Sequence, residues 1–374
     1  MNRLILIGNG FDLAHGLKTS YSDFIKWYFE KCLQDCIHGK EQSELLSVKI
    51  NAAWNYQAIS EEQLGEWIDD CFNEGFNASK IGQPRFDGTF LSPFVFGYPS
   101  DLFQELLART GSHRWVDIEN VFYELLLKIL DFKADESKEH ALRLLNKSMR
   151  LIIKELQEYL TGLKSADKID EYSNIIYSAI NVLDVQSKPI KFRTQYNRDF
   201  ETSKPKETLI LNFNYTNTIG LYMNSPSLKR PDHISIHGRL NDLKNPIIFG
   251  FGDEVDKRYE EIENSRAKGW FEYIKSFWYL KTNNYRELTS FIDSKEYQVL
   301  VLGHSCGLSD RTMLQMIFQH DNCRSIKLYY HGSKEINNHR QTLHELARHF
   351  KDKGLMRRRI VSEDNSERMP QFND

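Results

Sequence analysis

Residues 3–16 read "RLILIGNGFDLAHG". Five residues, four of them apolar and β-prone, run into Gly8 and Gly10, the pattern of a buried parallel strand that ends in a glycine turn. Gly8 and Gly10 permit close backbone approach to an anion. The third glycine of a dinucleotide fingerprint is absent, because position 13 is Leu and the next glycine is Gly16. A standard dehydrogenase loop is therefore not expected. Asp12 and His15 sit in the loop, where a turn would accept smaller neutral residues.

Further strand-like runs follow at "TLILNFN", "HISIHG", "PIIFGFG", "YQVLVLG" and "SIKLYYHG". Helical segments at "SRAKGWFEYIKSFWYLKTNNYRELTSFI" and "DRTMLQMIFQ" separate some of them. Short apolar strands alternating with helices predict an α/β, Rossmann-like parallel sheet covered on both faces. Between the first strand and the others, residues 26–204 carry helical spacing and are read as a large, mainly helical insertion or cap. No strand is expected inside that block, and "GQPRFDGTFLSPFVFGYPSD" (82–101) is read as a long irregular loop. The core is then discontinuous, 1–25 with 205–374. The charged end, "RRRIVSEDNSERMPQFND", is read as a solvated and partly disordered tail.

The unusual polar residues all fall at strand ends. "LILNFNYTNT" places Asn212, Asn214, Tyr215, Thr216 and Asn217 at one of them, a costly set to order unless the groups bind backbone or ligand. "SIHG" presents His237, whose imidazole suits base chemistry near neutral pH. "YQVLVLGHSCGLSD" (297–310) contains Gly303, Ser305 and Gly307 in G-x-S-x-G order. A nucleophile elbow turns from strand straight into helix. Here "GLSD" intervenes, with Ser309 or Asp310 as the cap of the next helix. A serine hydrolase using Ser305 would also leave the other strand-end motifs unexplained.

Bulk composition narrows the classes. The formal charge is -3 and aromatic residues make up 13% of the chain, so an ordered globular protein is expected, with nucleic acid not its default partner. Five cysteines (32, 36, 71, 306, 323) form no C-x-x-C pair, which indicates neither zinc nor a disulfide framework and fits a reducing cytoplasm. No apolar stretch is long enough to span a bilayer.

Taken in order, "GNGFDLAHG", "FNYT", "IHG", "IIFGFGDE" and "LGHS" resemble the motif series of sirtuins. More closely, "LILIGNGFDLAHGLKTSYSDF", "WVDIEN", "LNFNYTNT" and "LGHSCGLSD" resemble the bacteriophage abortive-infection AbiH family, whose core belongs with sirtuin-like NAD-binding folds. The resemblance implies an anti-phage protein that binds NAD and hydrolyses its nicotinamide–ribose bond without a metal. Asn214, His237 and Asp12 would be catalytic. Gly8, Asn9, Gly10, Phe11, His15, Gly303, His304, Ser305 and Asp310 would hold the nucleotide, with Ser305 a pocket hydroxyl. A phage-derived trigger or partner protein and a homo-oligomer are compatible with it. The sequence departs from sirtuins at Phe213, Thr216 and Asp12, lacks the zinc cysteines, and reads "LKTSY" where a deacetylase has Pro-Asp-Phe-Arg. Peptide deacetylation is therefore disfavoured, and a non-catalytic sensor of NAD or an ADP-ribose-type signal is the alternative.

Overall fold

The computed structural model describes residues 1–51, 61–73, 94–110, 117–185, 204–224 and 229–372. The chain divides into two compact units, one of residues 1–18, 163–259 and 274–374, the other of 19–162 and 260–273.

The first unit is built on a six-stranded sheet: β1 (Asn2–Ile7), β4 (Thr208–Asn212), β5 (Asp232–Ser235), β6 (Tyr297–Leu302), β7 (Cys323–Tyr330) and β8 (Glu367–Arg368). Its spatial order is β5-β4-β1-β6-β7-β8, and every pair is parallel. Counted in the order in which this sheet's strands occur, that is 3-2-1-4-5-6, with the direction of winding reversing between β1 and β6. Ligands of such sheets bind where the order reverses, outside the carboxyl ends of the strands.

Strand alternation explains why both faces are covered. Leu4, Leu6, Leu209, Leu211, Val299 and Val301 point to one face, where they pack with Leu288 and Ile292 of helix Asn284–Ser294 and Leu314 and Ile317 of helix Arg311–Gln319. Ile5, Ile7, Ile210, Leu300 and Leu302 point to the other, against Phe11, Tyr172, Ile176 and Tyr222. Burial on both faces is what near-continuous apolar strands require.

At its amino end the second face is polar. The Arg3 guanidinium is buried and donates to the carbonyls of Ser178 (2.8 Å) and Ala179 (3.2 Å) and to Gln298 Oε1. Gln298 in turn donates to Asp184 (3.1 Å), which faces Lys327. Residues 178–184 are thereby tied to the sheet through Arg3, Gln298 and Asp184 Oδ2, as burial of such groups demands.

The second unit is mainly helical, with helices Tyr21–Ile37, Glu61–Asn73, Asp101–Thr110, Ile118–Leu130 and Asp135–Gly162. Ser20 caps the first by accepting from the Asp23 N–H, and Asp117 caps the fourth by accepting from Glu119 and Asn120. The "DIEN" part of "WVDIEN" is thus a helix start; Trp115 and Val116 lie outside the described residues.

Three expectations are corrected. Two short strands, β2 (Ser47–Ile50) and β3 (Phe94–Gly97), pair antiparallel inside the helical block. Four-residue strands carry too little period-2 signal to stand out beside long helices. Residues 82–93 of the loop expected there lie outside the described residues. "PIIFGFG" forms no strand; Phe251 makes only an isolated bridge to Ile274, because Gly250 and Gly252 interrupt any ladder. The charged end is not a free tail. Helix Lys353–Arg359 packs beside β7, β8 completes the sheet, Met369 is buried, and the Phe372 N–H donates to Ala14 (2.8 Å).

Gly303 has φ +72°, and a Cβ there would lie 2.2 Å from the Phe11 nitrogen. At Gly307 the nearest atom would be Ser305 Oγ at 3.6 Å and φ is −68°. Gly303→Ala is expected to lower stability by about 2–4 kcal/mol, since it combines strain with overpacking, while Gly307→Ala changes it by less than about 1 kcal/mol. Urea denaturation of the two variants checks this; equal midpoints would refute the close approach.

Candidate functional site

The carboxyl ends of β1 and β6 meet backbone to backbone. The Gly10 N–H donates to the Gly303 carbonyl (2.8 Å), the Gly8 N–H to Leu302 (3.2 Å) and the Phe11 N–H to Gly8 (2.9 Å). A Cβ on Gly8 would lie 2.5 Å from His304 Cα, and one on Gly10 2.9 Å from Gly303 Cα. The glycines are needed for this contact between two turns. The turn's amides at 8, 10 and 11 are paired within the protein, so it offers a bound anion fewer free donors than the glycine spacing suggests.

The end of β4 joins the same place. Asn212 is buried and organises the turn, accepting from the Asn214 N–H (3.1 Å) and donating to the carbonyls of Asn214 and Thr216. Asn214 Nδ2 donates to the Gly8 carbonyl (3.0 Å), which ties β4 to β1. Its Oδ1 takes no hydrogen bond from the described residues.

Asp12 lies in the short helix Asn9–Ala14 and is 1% exposed. Thr216 Oγ1 donates to its Oδ2, and the side chains of Thr218 and Asn214 also face it, while Oδ1 accepts no hydrogen bond from the described residues. Burial pushes the carboxyl up to about 6, against the opposing pull of the Thr216, Thr218 and Asn214 donors. A buried acid titrating near neutrality is the kind of group that does proton work.

A second cluster sits at the ends of β5 and β6. His237 Nε2 lies 3.0 Å from Asp310 Oδ1 and 3.2 Å from the Tyr279 hydroxyl. Lys275, wholly buried, donates to the same Asp310 oxygen at 2.8 Å. His304 Nε2 lies 3.8 Å from Asp310 Oδ2, and its Nδ1 accepts from the Cys306 N–H (3.0 Å), so its proton is on Nε2. Burial alone would push Asp310 up, but Lys275, His237 and His304 together hold it well below the usual carboxylate range. Burial lowers His304 to about 4, so this imidazole is neutral. The His237 Nε2–H donates to the ionised Asp310, and Nδ1 makes no hydrogen bond to a described residue. Phe213 packs its ring edge-on to both imidazoles, 5.1 Å from His237 and 4.2 Å from His304.

The remaining expected residues are placed differently. His15 turns into the apolar core, with Nδ1 2.7 Å from the Phe11 carbonyl, Nε2 2.6 Å from the Tyr222 hydroxyl and its ring stacked on Tyr172. Phe11 is buried in that same core, and Asn9 opens the short helix half-buried. Ser305 is exposed and its hydroxyl makes no hydrogen bond to a described residue. Both nitrogens of the neighbouring His304 face other groups, so Ser305 lacks the base a nucleophile requires. Asp310 occupies the cap position of helix Arg311–Gln319 but spends no side-chain hydrogen bond on it.

Lys275 and Tyr279 were not legible as site residues. Both lie in an aromatic helical stretch where a lysine normally reaches solvent, and only the fold brings that stretch to Asp310.

Fold and site define an α/β protein with a Rossmann-like parallel sheet and a polar site at the reversal of strand order. The chain belongs to the family described as bacteriophage abortive infection AbiH, whose profile matches residues 4–331. No curated protein and no solved structure gives a match. No helix among the described residues is long and apolar enough to cross a membrane.

Two outcomes follow from the charges. A carboxyl whose native pKa is raised holds its proton more tightly folded than unfolded, so stability falls as pH rises from about 4 through about 6. Asp12→Asn is therefore expected to be more stable than the parent by about 2–3 kcal/mol at pH 7.5, narrowing to under about 1 kcal/mol at pH 4. Urea denaturation at both pH values measures the gap, and a constant gap contradicts the assignment. Lys275→Met, which strands the Asp310 carboxylate, should lose about 3–5 kcal/mol, much of it regained in Lys275→Met/Asp310→Asn. A double variant no more stable than the single would break the pairing.

Proposed function

We propose that this abortive-infection protein binds NAD at the strand ends and hydrolyses its nicotinamide–ribose bond, depleting the cofactor in an infected cell. The observation that carries the reading is that the ends of β1, β4 and β6 meet at the reversal of the sheet with a polar cluster on each flank, Asp12 and Asn214 in one and His237 with Asp310 in the other. The order of the motifs, which resembles that of sirtuins, supports the same ligand.

The chemistry asks little of the protein. Nicotinamide is a cationic leaving group, and the transition state is oxocarbenium-like, as in glycoside cleavage. The C1′–N bond breaks with its electron pair going to the ring nitrogen. Water adds to C1′, and its proton passes to His237 Nδ1, giving nicotinamide, ADP-ribose and a proton. Asp310 orients the imidazole from behind and stabilises its charged form, the role of the carboxylate in a catalytic triad. The open Asn214 Oδ1 accepts from the water or a ribose hydroxyl, and ionised Asp12 stabilises the cationic ribose. Dependence on a phage-derived trigger or on a change of assembly would keep such an activity silent in uninfected cells.

His237→Ala and Asn214→Ala are each expected to lower nicotinamide release by on the order of 10²-fold or more while NAD binding falls far less, with the double variant little worse than either single. Mass spectrometry of nucleotides, with purified protein and in phage-challenged cells, checks this. NAD loss and protection untouched by both substitutions would defeat the hydrolase reading. Protection that requires Asn214 and His237 while NAD never falls would make the protein a sensor of the same ligand.

A further inference from the structure

Behind His237 lies a cavity of about 190 Å3 lined by Gly252, Ser276, Tyr279, Tyr285, Asp310 and Thr312, with Leu280, Met313 and Glu254 completing its wall. Its volume is below the roughly 300–1,000 Å3 of sites for drug-sized ligands, so it has room for one ring system and not for a whole nucleotide.

Its walls are aromatic and ordered. The rings of His237 and Tyr279 are nearly parallel, 11° apart with centroids at 6.3 Å, and Tyr279 and Tyr285 are 19° apart at 5.9 Å. Tyr285 is held in place by its hydroxyl, which donates to Met316 Sδ. A flat guest finds a face to stack on, an arrangement that suits π systems.

Its polar groups are under-used. Among the described residues Asp310 accepts from Lys275 and His237 on Oδ1 alone, and the His304 ring nitrogen, 3.8 Å from Oδ2, is too far for a hydrogen bond. The Ser276 hydroxyl makes no hydrogen bond to a described residue. Thr312 Oγ1 accepts from the Glu254 N–H (3.2 Å), which leaves its own hydrogen to donate. A buried carboxylate oxygen and two hydroxyls converging on an aromatic slot ask for a guest with N–H donors and an acceptor.

The geometry points to a binding subsite for a planar heteroaromatic ring bearing an amide or amino group, the base end of a nucleotide. Carboxamide or amino hydrogens reach Asp310 Oδ2, Ser276 or Thr312 supplies the complementary hydroxyl, and the ring lies against Tyr279 and Tyr285. It rests on the proposed nucleotide chemistry only in that its guest is taken to be one end of a dinucleotide. Nicotinamide and adenine share this chemistry, and the test separates them.

Nicotinamide and adenosine are titrated separately into the full chain by ligand-observed saturation-transfer NMR. Saturable binding of one of them is expected, weakened tenfold or more, ~1.4 kcal/mol, by Ser276→Trp, which fills the cavity. The ring that binds identifies which end of the dinucleotide enters. Tyr285→Leu, which keeps apolar volume and removes the stacking face, is expected to weaken the same ligand severalfold and decides the matter if the tryptophan variant does not fold. Absence of binding by both rings, or affinity unchanged in the folded variants, overturns the subsite. Nicotinamide release from NAD by the parent protein is followed separately. Cleavage without ring binding defeats the subsite alone, and ring binding lost in Ser276→Trp without cleavage leaves the subsite standing and defeats the hydrolase.

Discussion

The contact of the β1 turn with the β6 turn is the constraint on which the rest of the first unit depends. Gly8 and Gly10 lie against Gly303 and His304 with no space for a side chain, and the Gly10 N–H is consumed in the contact. Two adjacent parallel strands normally leave a crevice where the winding reverses. Here the two turns touch, and the polar groups are displaced to the flanks. Asp12, Thr216 and Asn214 stand to one side, and His237, His304, Asp310 and Lys275 to the other.

The two flanks solve burial of charge in opposite ways. Asp310 is surrounded by a lysine and two imidazoles and stays ionised, at the cost of fixing all of them in one arrangement. Asp12 has hydroxyl and amide neighbours and no cation, so its acid form is favoured up to about pH 6. A protein selected for stability alone would carry an amide at position 12. The retained acid, with one oxygen unpaired, is a cost that suits a group waiting for a ligand.

Polar networks also do purely structural work in this chain. Arg3, Gln298, Asp184 and Lys327 fasten residues 178–184 beneath the sheet, far along β1 from the glycine turn. His15 is held neutral in the core, burial lowering its pKa, between the Phe11 carbonyl and Tyr222. Its place in a glycine-rich motif three residues from Asp12 does not give it the same neighbours, because its ring is held by the Phe11 carbonyl, Tyr222 and Tyr172 while Asp12 meets Thr216.

How far the sequence could be read follows the range of the interactions involved. β1, β4, β6 and β7 are legible because apolar runs ending at Gly or Asn are local signals, as are the helical spacing of much of the insertion and the clustering of Asn214, His237 and Gly303 at strand ends. Family membership is legible for the same reason, since its motifs are short. What only the tertiary structure decided are pairings between distant residues. The 3-2-1-4-5-6 order, the return of Met369 and Phe372 to the sheet, and the placing of Lys275 against Asp310 across 35 residues leave no periodic trace in the chain. A lysine among aromatics reads as a surface residue until its carboxylate is known. Only the fold supplies that carboxylate.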